Sequence, residues 1–187
     1  YIPLTKKERN HLVGKLNRYF DHNILIYGLY PMQDEAHARF NAQGRTYQYH
    51  VSQTKQPFKD AFCYYYPWRL DINKMNQAAA LLIGRKDFTS FSKLHTQVNN
   101  NICTLTDALW EEKDGELVFT IRANRFLRNM VRAVVGTLLA VGRGKITMEE
   151  FIQIVECKDR CKAGTSVPAK ALFLCKVEYP EELFLKE

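Results

Sequence analysis

Ile121 to Thr147 reads IRANRFLRNMVRAVVGTLLAVGRGKIT. Between Ile121 and Ile146 it holds six basic residues, Arg122, Arg125, Arg128, Arg132, Arg143 and Lys145, and no acidic one. The chain carries a net charge of +7, so everything outside this stretch sums to +1. The basic character is therefore local. Leu127, Met130, Val131, Val134, Val135, Leu138 and Leu139 recur at the spacing of one buried helical face. On a wheel of about 100° per residue, Arg125, Arg128 and Arg132 fall along one flank of that apolar stripe. A solvated helix mixes signs around its polar face. A row of one sign beside a buried seam suits the wall of a cleft that accepts a polyanion.

The remaining segments suggest how that helix is housed. Thr5-Lys6-Lys7-Glu8 is a capping box, and Leu12, Leu16, Tyr19 and Phe20 are expected to supply the buried face of the helix it starts. Ile24 to Leu29 reads as a buried strand, and Pro31 to Glu35 as a polar connection. From Arg45 to Ser52 the residues alternate. Tyr47, Tyr49 and Val51 face one way, and Thr46, Gln48, His50 and Ser52 the other. The aromatic run from Phe58 to Trp68 has neither period and reads as an irregular or edge segment. Asp71 caps a helix through Met75, Ala79 and Leu82 that Gly84 is expected to end. Asp87 to Phe91 is a loop or helical turn, with Asp87 as its cap. Ile102 to Trp110 and Glu116 to Ala123 form a hairpin, for which Asp114-Gly115 is a strong turn signal. Thr147 and Glu150 cap a further helix, and Leu172 to Tyr179 makes a last strand.

Strands interleaved with helices and hairpins predict an α+β fold, an antiparallel or mixed sheet with helices on one face. We expect two parts: residues 1–36, one helix and one strand that cannot close a core alone, and residues 37–187. The first either joins the main sheet or ends a subdomain whose beginning is missing.

With 187 residues, 46% hydrophobic and 25% charged, the chain can bury a proper core. A pI near 9.1 favours nucleic acid over a small acidic metabolite. No run spans a bilayer and no signal-peptide pattern occurs, so a cytoplasmic location without a membrane partner is expected. Five scattered cysteines suit reduced thiols. Cys157 and Cys161 stand i, i+4 on an expected helix. With no C-x-x-C and no ligand pair among His11, His22, His37, His50 and His95, no metal site is expected.

At this point the order of motifs becomes recognisable. Phe126-Leu127-Arg128-Asn129-Met130-Val131-Arg132, continuing to Gly136, Leu138 and Gly142-Arg143-Gly144, resembles the late helical motif of the tRNA pseudouridine synthase A family. Leu16-Asn17 with Ile24, His37-Ala38-Arg39-Phe40 with Arg45-x-Tyr47-x-Tyr49, Gly84-x-x-Asp87-Phe88-Thr89-Ser90-Phe91, and Leu172-Phe173-Leu174 with Val177 and Tyr179 are similar to its other blocks, in order. Ala36 stands where the family usually has Phe, and Ala171 where it usually has Gly. The family's nucleophilic aspartate lies in a G-R-T-D-x-G-V-H turn upstream of the Leu-Asn step, and no such turn occurs in these residues.

The resemblance implies a pseudouridine-synthase-like fold of RRM-like halves around a basic cleft. It implies isomerisation of uridine to pseudouridine in the anticodon stem-loop of tRNA, with no cofactor, by a homodimer. Arg132 matches the arginine that pairs with the nucleophilic aspartate. Tyr47 matches the tyrosine that stacks on the extruded uracil and handles its C5 proton. Alternation alone does not separate Tyr47 from Tyr49. Leu172 matches the leucine that packs against the base, and a plain core leucine is the alternative. Arg39, Arg45, Arg125, Arg128, Arg143 and Lys145 are candidates for phosphate contacts, with His37 beside them. His37 and Arg39 could instead be hinge residues. This chain, with no aspartate in the nucleophile's setting, is expected to be inactive alone. The competing reading is a non-catalytic RNA-binding α+β module, against which stands the absence of an RNP-like K/R-G-F-G-F-V string.

Overall fold

Three side-chain caps and one tight turn set most of the element boundaries. In the computed structural model, which describes residues 4–93 and 100–185, Thr5 and Glu8 close a reciprocal capping box on α1 (Lys6–Tyr19). Asp71 accepts from the Lys74 amide at the start of α2 (Ile72–Ala80). Thr147 and Glu150 close a second capping box on a later helix, Met148–Glu156. The two long strands Ile102–Lys113 and Glu116–Ala123 turn at Asp114 and Gly115, whose φ angles of 51° and 75° are the paired positive values of a type I′ hairpin turn.

The elements divide into two units. The smaller comprises residues 4–41 with the chain end from Pro180, and the larger runs from Ala42 to Tyr179. In the smaller unit α1 forms as capped, but none of its residues is buried, and Tyr19 is 83% exposed. Ile24 to Leu29, expected as a buried strand, pairs with no strand among the described residues. The Asn17 side chain takes over that pairing at one residue: its amide donates to the Ile26 carbonyl at 2.8 Å, and its oxygen accepts the Ile26 N–H at 2.7 Å. Ile24, Leu25 and Tyr27 remain exposed. Apolar content alone therefore misled the reading, because a strand needs a partner edge. The chain end is held within this unit by a bridge between Met32 and Phe184.

The larger unit is a mixed sheet built on β1 (Gly44–Ser52). The short β2 (Tyr64–Tyr65) pairs with β1 in parallel at Val51 and Ser52. After α2 comes β3 (Gly84–Asp87), then the hairpin strands β4 (Ile102–Lys113) and β5 (Glu116–Ala123). The helix α3 (Met130–Gly142), α4 (Met148–Glu156) and β6 (Leu172–Glu178) complete the unit. The sheet order is β2-β1-β5-β4-β3, with β6 antiparallel to β1 over Gly44 to Tyr49. Thus β6 and β2 share one edge of β1 end to end, and β5 takes the other. Outside β3's reach, the Asn76 side chain of α2 pairs with the backbone of Trp110 on β4, at 2.7 and 3.0 Å.

The alternation on β1 is as read from sequence. Tyr49 and Val51 are wholly buried and lie opposite Phe119 and Leu117 of β5, in the core cluster shared with α3. In α3, the valines at 131, 134, 135 and 141 each cost up to about 0.7 kcal/mol of helix propensity. Burying each contributes about 1.5–3 kcal/mol, so packing wins and the helix forms. Its start differs from the expectation. Asn129 sits in the left-handed region at φ 69°, and α3 begins only at Met130. Arg125 and Arg128 therefore precede the helix and do not share a helical flank with Arg132. Two smaller boundaries also moved. α2 stops at Ala80, and Gly84, at φ 95°, opens β3 instead of ending the helix. α4 ends before Cys157, and Lys158 at φ 54° turns the chain, so Cys157 and Cys161 are not on one helix.

The opposite sheet face carries a buried carboxylate. Glu116, 7% exposed, accepts from Lys59 Nζ at 2.7 Å and lies 3.0 Å from His50 Nδ1. Burial pushes its carboxyl up, but the hydrogen bonds and charges of Lys59 and His50 outweigh this and hold it below the ordinary value. A depressed carboxylate stabilises the fold above its unfolded pKa and loses that contribution as pH falls through the folded one. Glu116→Gln is thus expected to cost about 1.5–3 kcal/mol at neutral pH and progressively less below pH ~4.5. Thermal melts of both proteins against pH test this; parallel curves down to pH 3 would refute it.

Candidate active site

Two tyrosines that alternation could not separate are separated by what their hydroxyls do. Tyr49 is fully buried, and its hydroxyl donates to the Pro168 carbonyl at 2.8 Å. Burial also pushes its hydroxyl far up from the ordinary phenol value, against the opposing pull of the Arg132 charge. Tyr47, two residues earlier on the same face, is half-buried and meets the Phe126 ring edge-on at 5.1 Å between centroids. Its hydroxyl has no hydrogen-bond partner among the described residues. One phenol is structural and the other is available.

Arg132, in the first turn of α3, is half-buried. Its Nε donates to the Val167 carbonyl at 2.6 Å, and the Val167 N–H returns to the Arg132 carbonyl at 3.2 Å. Among the described residues no carboxylate pairs with the guanidinium, which leaves its terminal nitrogens uncommitted. Val167 and Pro168 are consecutive, so one short segment holds both Arg132 and Tyr49. Leu172 on β6 lies opposite Tyr49, and Leu174 opposite Tyr47, with a bulge between Thr46 and Tyr47. Leu172 is partly buried against the core, whereas Leu174 is 51% exposed.

The glycines explain how that segment comes so close. A Cβ at Gly136 would collide with the Thr165 carbonyl oxygen, and one at Gly164 would press on the Thr137 amide nitrogen. The helix α3 and the strap, residues 164–168, therefore meet backbone to backbone, and Gly164 N–H donates to Thr137 Oγ1 at 2.9 Å.

The basic residues fare differently from one another. Arg125 and Arg128 lie in the loop with Phe126, Arg128 exposed, and neither side chain pairs with a carboxylate among the described residues. The Arg125 charge is felt at the buried Cys103 thiol, which burial pushes up to about 11. Arg122 is neutralised: its Nε donates to Glu178 at 2.9 Å, and Asp107 lies 3.9 Å away. The local excess of six is thus smaller in space than in sequence. Arg45 donates to the carbonyls of Ala42 and Asn124, both at 2.6 Å, which joins β1 to the end of β5. Arg143 stands over the Trp68 ring at 4.0 Å, beyond the far end of α3. Eleven residues of helix put it about 16 Å along the axis from Arg132. Lys145 is exposed beyond it. His37 and Arg39 belong to the smaller unit, where His37 Nδ1 accepts the Arg39 and Phe40 N–H groups.

Phe126 and Asn129 stand in the quoted motif without a role of their own, and Arg160 and Ser166 lie outside every motif. Only the Asn129-Met130 step carried a signal, that of a helix cap, and its side chain is used elsewhere.

Residues 78–180 match the family model of tRNA pseudouridine synthase. The chain belongs to the tRNA pseudouridine synthase family. Among relatives named tRNA pseudouridine synthase A, that of Parabacteroides distasonis is 56% identical over 92% of this chain and 69% of its own length. That of Bacteroides thetaiotaomicron is 54% identical, over 94% of this chain and 66% of its own. That of Porphyromonas gingivalis is 48% identical over 97% and 73%. The chain thus spans about two-thirds of the length of these synthases. The synthase match contains α3, the strap and β6, the elements that carry Arg132 and Leu172. No helix among the described residues is long and apolar enough to cross a membrane.

Proposed function

We propose that this chain forms part of the active site of a tRNA uridine isomerase, with Arg132 as the ionic partner of a nucleophilic aspartate and Tyr47 against the uracil ring. The observation that carries this reading is the state of Arg132. Its Nε is fixed to the Val167 carbonyl while its terminal nitrogens have no carboxylate among the described residues. A half-buried guanidinium with no carboxylate beside it is costly, and such a charge is kept for an anion that arrives.

The reaction breaks the bond between N1 of uracil and C1′, turns the base, and forms a bond from C5 to C1′. The C5 proton is lost and N1 gains one, so redox state is unchanged. The aspartate that attacks must be ionised although shielded from water. Shielding raises its pKa, and a rigid, permanently charged guanidinium lowers it again. The base must first leave its stack. Tyr47, edge-on to Phe126 and with a free hydroxyl, offers the ring a face and the C5 proton a nearby oxygen. Leu172 closes the apolar side beside Tyr49. Arg125 and Arg128 serve the phosphates, which position RNA without reading its sequence. Arg45, Arg143 and Lys145 serve further stretches of backbone along the larger unit, and His37 and Arg39 are candidates for RNA contacts on the smaller unit by itself. The same reading carries a cytoplasmic location and a homodimer, the latter tested by sedimentation with and without tRNA.

Binding should weaken steeply with salt, each phosphate contact contributing about −0.9 for duplex or −0.7 for single-stranded RNA to the slope of log K against log[salt]. Arg125→Ala/Arg128→Ala is expected to reduce that slope by about 1.4 to 1.8. A flat salt dependence, or an unchanged slope in the double variant, contradicts the proposed contacts. Chemical mapping of pseudouridine in an unmodified transcript, treated with the protein expressed from its complete reading frame, separates an isomerase from a binding module.

A further inference from the structure

The strap that holds Arg132 is itself held, at one atom, from two sides. Ser166 Oγ accepts from Asn129 Nδ2 at 2.6 Å and from Arg160 Nη2 at 2.8 Å. Arg160 also reaches the carbonyls of Ala163 and Gly164 through Nη1, at 3.4 and 3.3 Å. Ser166 is followed directly by Val167, whose carbonyl receives Arg132 Nε at 2.6 Å. Asn129 precedes α3 in the left-handed conformation, at φ 69°, and its side chain makes no helix-capping bond. An asparagine at a helix start ordinarily caps. This one is turned away from the helix and spent on the strap.

We propose that Asn129, Ser166 and Arg160 form a positioning relay for Arg132, setting the direction of its guanidinium and hence its charge at the nucleophile. This rests on the reading of Arg132 given above. The physical case is one of degrees of freedom. An arginine side chain has four rotatable torsions, and a single bond from Nε to a mobile carbonyl would not fix its terminal nitrogens. The carbonyl is fixed because its segment is pinned at Ser166 on one side and, through Pro168, at the buried Tyr49 hydroxyl on the other. A misdirection of about 1 Å at a reacting centre can cost up to about a hundredfold in rate. Asn129 also links the strap to the loop of Arg125, Phe126 and Arg128, since it ends that loop and starts the helix.

Asn129→Gly tests the relay cleanly, because glycine adopts positive φ without penalty and removes only the side chain. In the protein expressed from its complete reading frame, its single-turnover rate should fall about tenfold while tRNA affinity stays within about twofold. The acid limb of its pH–rate profile should move to higher pH, since a misdirected cation stabilises the nucleophile's ionised form less. Ser166→Ala should behave likewise, and Ser166→Thr, which keeps the hydroxyl, should retain the rate. In an Arg132→Lys background, Asn129→Gly should add little, because the relay acts through Arg132. Normal turnover in Asn129→Gly and Ser166→Ala beside a crippled Arg132→Lys would overturn the relay alone. So would losses that simply multiply with that of Arg132→Lys. Normal turnover in Arg132→Lys itself would instead overturn the role given to Arg132.

Discussion

Arg132→Lys is expected to bind tRNA nearly as well as the unaltered protein and to turn it over about a hundredfold more slowly. The magnitude is that of removing one preorganised donor from a developing charge, typically 10²–10³ in rate. Lysine keeps the positive charge, so phosphate attraction survives. It loses the planar fork, and it has no Nε to donate to the Val167 carbonyl at 2.6 Å while directing further donors outward. Tyr47→Phe is the companion variant. It keeps the ring that meets Phe126 at 5.1 Å and loses only the hydroxyl, so binding should persist while turnover falls. Rapid-quench single turnovers with saturating protein read the chemical step directly. Normal rates in both variants would remove these residues from the site while leaving the family membership untouched.

The 187-residue chain purified by itself is expected to bind tRNA and to convert no uridine. Six of its eight aspartates are committed to partners. Asp71 caps α2, and Asp87 accepts from the Thr89 amide and hydroxyl. Asp60 pairs with Lys170 and Asp107 lies beside Arg122. Asp21 and Asp159 accept from amides two residues on. Asp114 makes the hairpin turn, and Asp34 lies in a turn of the smaller unit. None of them is paired with Arg132. Incubation with an unmodified transcript and mapping of the anticodon stem-loop tests this. Conversion would show that one of these carboxylates leaves its partner and reaches the uridine, and the assignment of Arg132 would have to be redrawn around it.

The elements most legible in sequence were those whose stabilising bonds close within a few residues. Thr5 with Glu8, Asp71 with Lys74, and Thr147 with Glu150 each join residues three apart, and each was read correctly. The Asp114-Gly115 turn and the alternation on β1 are equally local. The errors arose where a local pattern needed a distant partner. Ile24 to Leu29 is apolar enough for a strand, yet Asn17 takes the backbone of Ile26 and the strand does not form. Arg125 and Arg128 fit a helical wheel, yet the helix starts at Met130 because Asn129 turns left-handed.

The sequence by itself determined the α+β class, the hairpin, the three capped helices and the ordered motifs that point to a family. These follow from bonds and periodicities a few residues long. Only the tertiary structure decided which tyrosine is free, since that depends on a Pro168 carbonyl 119 positions from Tyr49. It also decided that Arg122 is cancelled by Glu178, 56 positions away, and that Arg132 is aimed by a strap 35 positions downstream. A side chain's commitment is set by whatever the fold brings within about 3 Å of it. No spacing along the chain encodes that distance.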